Sequence, residues 1–180
     1  MLKSSILIVD FSNTGTEPEA LRHALEAFDY DVVVKRIGRP NDFIDVLKGE
    51  FLFEPDYIIF SCHGDEGKFF MPVLETIYMP DEPRGNFGAD EVRKYLKLSG
   101  KTIISLGCTT GKNARMSVFS ENNTYFALAD DVDRYSAVFF AIRLFYEMAQ
   151  NSKAVCEAYK AAKETDSETG LFCSNIKSGI

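Results

Sequence analysis

The chain alternates between short apolar runs and longer stretches in which apolar residues recur every three or four positions. Short runs of β-branched and aromatic residues are typical of buried strands, and the longer spacing is typical of helices that bury one face. Five runs are predicted to be strands: Ile6–Val9, Val32–Val34, Tyr57–Ser61, Thr102–Leu106 and Tyr125–Leu128. Strands that alternate with helices predict an α/β fold, a three-layer α/β/α sandwich around a mostly parallel sheet.

The helical pattern begins in the stretch "TEPEALRHALEAF", between the first two predicted strands. Thr16 and Glu19 have the spacing of a capping box, and Pro18 lies in the first turn, where proline is tolerated. Apolar positions then predict further helices over Asn41–Leu47, Ala89–Leu98, Arg134–Ala149 and Ser152–Lys163. The helix from Arg134 is apolar on most sides, so we expect it to be packed deeply.

Two segments do not follow this alternation. Residues 69–87 contain three prolines and a glycine, and we expect a long excursion that holds a small hairpin. The last residues, "ETDSETGLFCSNIKSGI", lack a clear periodicity and are expected to be loosely held. We find no repeat and no linker-like stretch, which predicts a single domain over residues 1–180.

Composition narrows the classes of function that remain. The hydrophobic fraction of 46% is enough for a sizeable core, and the net charge of -7 argues against a nucleic-acid partner, which requires basic side chains. No apolar run approaches the ~20 residues that a membrane span needs, and the start "MLKSSILIVD" reads as a strand, not a signal peptide. Four scattered cysteines without a CxxC pair predict reduced thiols and a cytoplasmic location.

Sites in parallel sheets form beyond the carboxyl ends of the strands, which directs attention to three loops. The first, "DFSNTGTE", resembles the phosphate loop of flavodoxins, but Gly15 and Thr16 adjoin where flavodoxins have an intervening residue. Glu17 would also place a negative charge near a phosphate. We therefore expect a tight turn with a helix cap, and flavin or nucleotide binding stays an alternative.

The second and third loops carry a histidine and a cysteine. His63 follows the third predicted strand in "CHGDEG", and Cys108 follows the fourth in "SLGCTTG". If these strands are neighbours, the two side chains emerge side by side, and an imidazole there can take the proton of a thiol nucleophile. The N–H groups of Gly64 and Cys108 can stabilise a developing oxyanion, and Gly107 and Gly111 permit a sharp turn that exposes the sulfur.

Other interpretations of these residues remain open. Cys108 can be a small core residue and His63 a loop residue, or Cys62, His63 and Cys108 can bind zinc, although a fourth ligand is not evident. In an extended strand Cys62 should point away from His63. The remaining histidine and cysteines are expected to be a solvated His23 and two packing residues, Cys156 and Cys173.

The order strand–His–Gly followed by strand–Cys resembles the caspase-like cysteine peptidases, and most of all the branch of CHAT-domain proteins and separases. The stretch "GNFGADEVRKYLKLSGKTIISLGCTTG" is similar to the CHAT segment in which a helix leads into a strand that ends at the cysteine. The stretch "ALADDVDRYSAVFFAIRLFYEMAQNSKAVCEAYKAAKE" is similar to the CHAT ending, with an acidic loop and two helices. The resemblance runs from about Tyr57 to Glu164.

This resemblance implies a caspase-like fold and a cysteine endopeptidase without cofactor or metal. It makes His63 the general base and acid and Cys108 the nucleophile, and it assigns the oxyanion hole to Gly64 and the Cys108 amide. In separase-type enzymes an acidic residue after the fifth strand binds a basic P1 side chain. Three aspartates occupy that neighbourhood, and we expect the role to fall on Asp131, with Asp130 and Asp133 as alternatives.

The expected partner is a protein or peptide substrate, with Arg or Lys at P1 consistent with the acidic net charge. Relatives in this group often carry helical repeats or sensor domains, which this sequence does not show, so we expect either a free-standing effector or a dependence on an activating or sensor partner. The alternatives are a catalytically silent caspase-like scaffold or sensor module and a flavodoxin-like cofactor-binding protein.

Overall fold

The computed structural model describes residues 3–112 and 118–175. The strands are β1 (Ser5–Asp10), β2 (Asp31–Arg36), β3 (Tyr57–Ser61), β4 (Gly64–Asp65), β5 (Lys68–Phe69), β6 (Thr102–Ser105), β7 (Thr124–Leu128) and β8 (Phe172–Ser174). The principal helices are α1 (Glu17–Ala27), α2 (Pro40–Lys48), α3 (Ala89–Tyr95), α4 (Arg134–Asn151) and α5 (Val155–Lys163). Each strand and helix predicted from the sequence is therefore present, with ends that differ by a few residues.

The central sheet has six strands in the order β2-β1-β3-β6-β7-β8. All neighbouring pairs are parallel except β7 and β8, which are antiparallel. Asp10 pairs with Ser61, and Phe60 pairs with Ser105, so β1, β3 and β6 end together at one edge of the sheet. The fold is an α/β sandwich with a mostly parallel sheet, which confirms the predicted fold class.

Two apolar cores lie on the two faces of the sheet. One face packs against α2 and α3, where Phe43 meets Phe11 edge to face with ring centroids 4.8 Å apart. The other face packs against α1, α4 and α5, and includes Leu25 and Phe145 among its buried residues. Helices on both faces bury the central strands of the sheet, which is what their continuous apolar runs require, while Val33 on the edge strand β2 stays 45% exposed.

α1 begins without the capping box that the sequence spacing predicted. Thr16 lies at the N-cap with φ -91° and ψ 9°, and its side chain makes no cap hydrogen bond. An N-cap side chain reaches the first turn from an extended backbone, which Thr16 does not adopt. The carboxylate of Glu19 pairs instead with Arg36 of β2.

α4 is longer than predicted, and α5 begins later in the chain than predicted, at Val155. α4 ends at Asn151, and the capping residue Ser152 has φ 51° in the left-handed region and so cannot begin the next helix. Phe140 and Phe145 are fully buried, yet Phe139 is 43% exposed, so one face of α4 stays uncovered by the described residues. No helix in the described ranges 3–112 and 118–175 combines the length and apolar character that a membrane span requires.

The excursion after β5 holds no hairpin of its own within its described residues, contrary to prediction. The hairpin is β4–β5, which lies just before the excursion and directly after His63. Phe69 and Phe87 close the excursion by exchanging two backbone hydrogen bonds of 2.9 and 3.0 Å. Glu82 anchors it from inside, because its buried carboxylate accepts two hydrogen bonds from the Arg39 guanidinium.

The C-terminal segment is also more ordered than its sequence indicates, up to residue 175. After a short 3-10 helix, Thr169–Leu171, the chain adds β8 to the edge of the sheet. Phe172 is 1% exposed and stacks on Phe140 with ring centroids 3.6 Å apart. The expectation of a loosely held end was therefore wrong for residues 164–175, and residues 176–180 lie outside the described part of the chain.

Candidate functional site

A cavity of about 510 Å³ opens at the carboxyl edge of the sheet. The loops after β3 and β6 bring His63 and Cys108 to its wall, as the parallel order of these neighbouring strands predicted. The loop after β1 and the first residues of α4 complete the lining, which includes Asn13, Thr14, Gly15, Glu17, Cys62, Leu106, Val132, Asp133, Arg134, Tyr135 and Ala137.

His63 has an exposed side chain on a backbone that is held from two sides. Its N–H donates to Oδ1 of Asn13 at 3.2 Å, and its carbonyl accepts a hydrogen bond from the N–H of Phe70 at 3.1 Å. Asn13 also donates through Nδ2 to the carbonyl of Phe70 at 3.4 Å. The first loop thus fixes the histidine-bearing loop, a role that sequence reasoning missed when it treated the first loop as a plain turn and helix cap.

Gly64 lies where the histidine loop touches the cysteine loop. A Cβ atom on Gly64 would lie 2.5 Å from the carbonyl oxygen of Cys108 and 2.8 Å from Cγ2 of Thr110. Real Cβ atoms do not approach other atoms so closely, so only glycine allows the two loops to meet. This close approach places the Gly64 backbone beside Cys108, and the role of its N–H in an oxyanion hole stays a prediction.

Cys108 is half-buried, with its Sγ 3.8 Å from the carbonyl oxygen of Val132. The following residue, Thr109, has φ 58°, in the left-handed region that β-branched residues rarely adopt. Its Oγ1 accepts a 2.8 Å hydrogen bond from the N–H of Gly67, at the turn of the β4–β5 hairpin. Strained backbone of this kind costs about 1–3 kcal/mol and is frequent at functional sites, where surrounding contacts hold it in place.

The glycines around Cys108 provide close packing, and neither has the positive φ of a sharp glycine turn. A Cβ on Gly107 would lie 2.8 Å from Sγ of Cys62, and a Cβ on Gly111 would lie 2.5 Å from Sγ of Cys173. The turn itself falls on Thr109, which corrects the expectation that Gly107 and Gly111 make it. It follows that the cysteine loop is packed tightly against its neighbours on both sides of Cys108.

Cys62, next to the histidine, is a core residue. It is 3% exposed, and burial together with the nearby Glu17 carboxyl raises the pKa of its thiol far above the ordinary value. Cys62 faces the interior while His63 faces solvent, as the alternation of a strand predicted. Within residues 3–112 and 118–175 no three His, Cys, Asp or Glu side chains are grouped so that they could hold a metal ion.

Glu17 is a buried carboxyl at the cavity wall that sequence reasoning did not select. Its Oε1 accepts a 2.7 Å hydrogen bond from Oγ of Ser61, and the same hydroxyl lies 2.8 Å from Oγ1 of Thr14. Burial raises the pKa of Glu17 to about 7, and the Ser61 hydrogen bond and the charge of Arg134 oppose that rise. The sequence signal was its place at the first residue of α1, directly after the loop that follows β1, the strand beside β3.

The three aspartates expected to bind a basic side chain are placed differently. Asp133 lines the cavity, and its Oδ1 accepts a hydrogen bond of 2.9 Å from the N–H of Tyr135 as the N-cap of α4. Asp130 and Asp131 are exposed outside the cavity lining, and Oδ1 of Asp130 accepts from the N–H of Asp131 at 2.9 Å. Arg134, which lines the cavity beside Asp133, was not selected from the sequence.

The cavity thus combines a histidine, a half-buried thiol, a buried carboxyl and an arginine, contributed by loops of three neighbouring parallel strands and by the start of α4. An imidazole and a thiol on one wall are the groups that thiol-based acyl transfer requires. The chain matches no protein-family model and no curated protein, so this chemistry is what a functional proposal rests on.

Proposed function

We propose that this protein is a cysteine endopeptidase of the caspase-like group, with His63 and Cys108 as its catalytic dyad. The observation that carries the proposal is that both side chains line one cavity, on loops that leave neighbouring parallel strands. Two features support it. Glycine at position 64 lets the two loops touch, and Thr109 holds a strained backbone directly after the cysteine.

In the proposed reaction His63 takes the proton of the Cys108 thiol, and the thiolate attacks the carbonyl carbon of the scissile peptide bond. The N–H groups of Gly64 and Cys108 hold the oxyanion, and such a donor typically contributes ~3 kcal/mol to transition-state stabilisation. The imidazolium then donates its proton to the departing amine, which leaves a thioester. His63 next deprotonates a water that hydrolyses the thioester, and the thiol is restored.

The proposed substrate is a polypeptide with Arg or Lys at P1. The carboxyl group of Asp133 lies on the cavity wall, the Glu17 carboxyl on the same wall becomes a carboxylate above about pH 7, and the protein carries a net charge of -7. A guanidinium or ammonium group pairs favourably with carboxylates in such a setting. Asp131, the residue expected from the sequence, belongs to the same acidic loop but is exposed outside the cavity lining.

A fluorogenic peptide screen that compares Arg, Lys, Asp and Leu at P1 tests the proposal directly. The parent is expected to cleave the Arg and Lys peptides, and Cys108→Ala is expected to lower kcat by about 10³-fold or more. Cys156→Ala is the matched control, because Cys156 is also half-buried but lies on α5, outside the cavity lining. Equal cleavage by the parent and Cys108→Ala would exclude the dyad.

Alkylation separates an active dyad from a silent scaffold. A thiol that His63 activates reacts with iodoacetamide at mildly acidic pH, because the thiolate is the reactive form. Cys108 is therefore expected to be labelled first among the four cysteines, and His63→Ala is expected to slow its labelling. Uniform slow labelling of all four cysteines would favour a caspase-like scaffold without catalysis.

A further inference from the structure

A second cavity of about 470 Å³ lies between α1 and α4, next to the candidate catalytic cavity. Four residues line both cavities and form the wall between them: Thr14, Glu17, Arg134 and Tyr135. The other lining residues of the second cavity are Thr16, Ala20, Val138, Phe139 and Ile142. Its volume lies within the ~300–1,000 Å³ typical of ligand pockets.

The α4 side of this groove is an apolar stripe. Tyr135, Val138, Phe139 and Ile142 follow one another at spacings of three, one and three residues, which places them on one face of the helix. Tyr135 is 68% exposed and Phe139 is 43% exposed, although the opposite face of α4 is buried in the core. A helix of a soluble domain normally turns polar residues to solvent, so an exposed apolar stripe marks a binding surface.

We propose that this groove is a specificity subsite that binds one apolar side chain of the polypeptide whose peptide bond Cys108 attacks. The proposal rests on the proposed peptidase function. Its central support is continuity, because four residues line both cavities, so that a peptide chain leaving Cys108 across them enters the groove.

The lining of the groove also suits a substrate subsite, because it is polar where the two cavities meet and apolar beyond that point. The shared wall carries the exposed guanidinium of Arg134, which can donate hydrogen bonds to the carbonyl groups of a peptide backbone that crosses it. Beyond the wall, the lining on α4 is apolar, with Val138, Phe139 and Ile142. Burial of one Leu or Phe side chain there removes apolar surface from water on both partners.

Peptides with Arg fixed at P1 and with Leu, Phe or Ser placed in turn at each flanking position test the groove. The parent is expected to favour Leu or Phe over Ser at one position by at least about 10-fold in kcat/KM, the scale of discrimination in apolar pockets. In Phe139→Ser this ratio is expected to fall towards one, mainly through a higher KM for the apolar peptide. Val33→Ser is the matched control, because Val33 is 45% exposed on β2, outside the groove lining, and should preserve the ratio.

A binding measurement separates failure of this proposal from failure of the peptidase proposal. Fluorescein-labelled versions of the same peptides are titrated into Cys108→Ala, with and without the additional Phe139→Ser change. Tighter binding of the apolar peptide, weakened about 10-fold by Phe139→Ser, supports the groove even if the parent cleaves nothing. Cleavage without an apolar preference at any position, or equal binding by both variants, overturns the groove, and the former leaves the dyad in place.

Discussion

Replacement of Glu17 by glutamine is expected to stabilise the protein above pH 7 and to change its stability little below pH 4.5. Glu17 is 9% exposed as a residue, and the pKa of its carboxyl is raised from 4.5 to about 7, chiefly by burial. Glutamine keeps the shape of the side chain and an oxygen that can accept the hydrogen bond from Ser61, but it carries no charge at any pH.

The sign follows from the protons bound in each state. Between pH 4.5 and about 7 the unfolded chain has released the proton of Glu17 while the folded protein still holds it. The folded state therefore binds more protons, and the free energy of unfolding of the parent falls as the pH rises through this window. From about pH 8 both states are almost fully ionised, and the loss is nearly complete.

The magnitude follows from the same two pKa values. A pKa of about 7 in place of 4.5, at 1.36 kcal/mol per pH unit, corresponds to about 3 kcal/mol. Glu17→Gln should therefore exceed the parent in free energy of unfolding by about 2–3 kcal/mol at pH 8, provided that the amide fits beside Ser61. The gain should shrink towards zero as the pH falls to 4.5.

Urea unfolding followed by far-ultraviolet circular dichroism at pH 4.5, 6, 7 and 8 measures this difference. Glu19→Gln is the matched control on the same helix, because Glu19 pairs with Arg36 near the surface and its pKa is lowered by hydrogen bonding. That control should gain no stability above pH 7. Equal free energies of unfolding for the parent and Glu17→Gln at pH 8, or a gain that grows as the pH falls, would refute the reasoning.

Two further substitutions and one labelling experiment test the packing of the fold. Gly64→Ala should lower stability by about 1–3 kcal/mol in urea unfolding, because its Cβ would overlap the Cys108 carbonyl, whereas Gly170→Ala, with its nearest atom at 3.8 Å, should not. Equal stabilities of these two variants would contradict that account. Phe172→Ala should cost about 3–5 kcal/mol in the same assay, and an unchanged midpoint would show that the C-terminal segment is not anchored. Cys62 should resist alkylation in the folded protein, because burial excludes the reagent and raises its pKa; mass spectrometry that finds it labelled as fast as Cys108 would contradict this placement.

The strand and loop order of the site was readable from the sequence. The runs Tyr57–Ser61 and Thr102–Leu106 end at "CHG" and "LGC", and the alternation of strands with helices requires a parallel sheet whose carboxyl ends meet at one edge. Local hydrophobic periodicity is sufficient for that inference, since buried strands must be apolar on both faces. The sequence predicted that His63 and Cys108 meet if their strands are neighbours, and the structure supplies that condition by pairing β3 with β6.

Which residues surround His63 and Cys108 could not be predicted, because it depends on contacts between parts of the chain that are distant in sequence. Glu17 belongs to the cavity because Ser61 of β3 lies beside the loop after β1, and no spacing in the sequence reports the burial that raises its pKa. Residue 64 has to be glycine because a Cβ there would overlap the carbonyl oxygen of Cys108, which lies 44 positions further along the chain. Phe172 is ordered because it stacks on Phe140.

The sequence by itself determined the five parallel strands, the principal helices and the edge at which His63 and Cys108 emerge, because periodicity is a local property of the chain. The tertiary structure decided which acids reach the cavity, why residue 64 is glycine, and that an apolar face of α4 adjoins the site. Those facts depend on burial and close approach. Burial and close approach are properties of residues brought together in space, and the packing of the whole sheet and its helices fixes them.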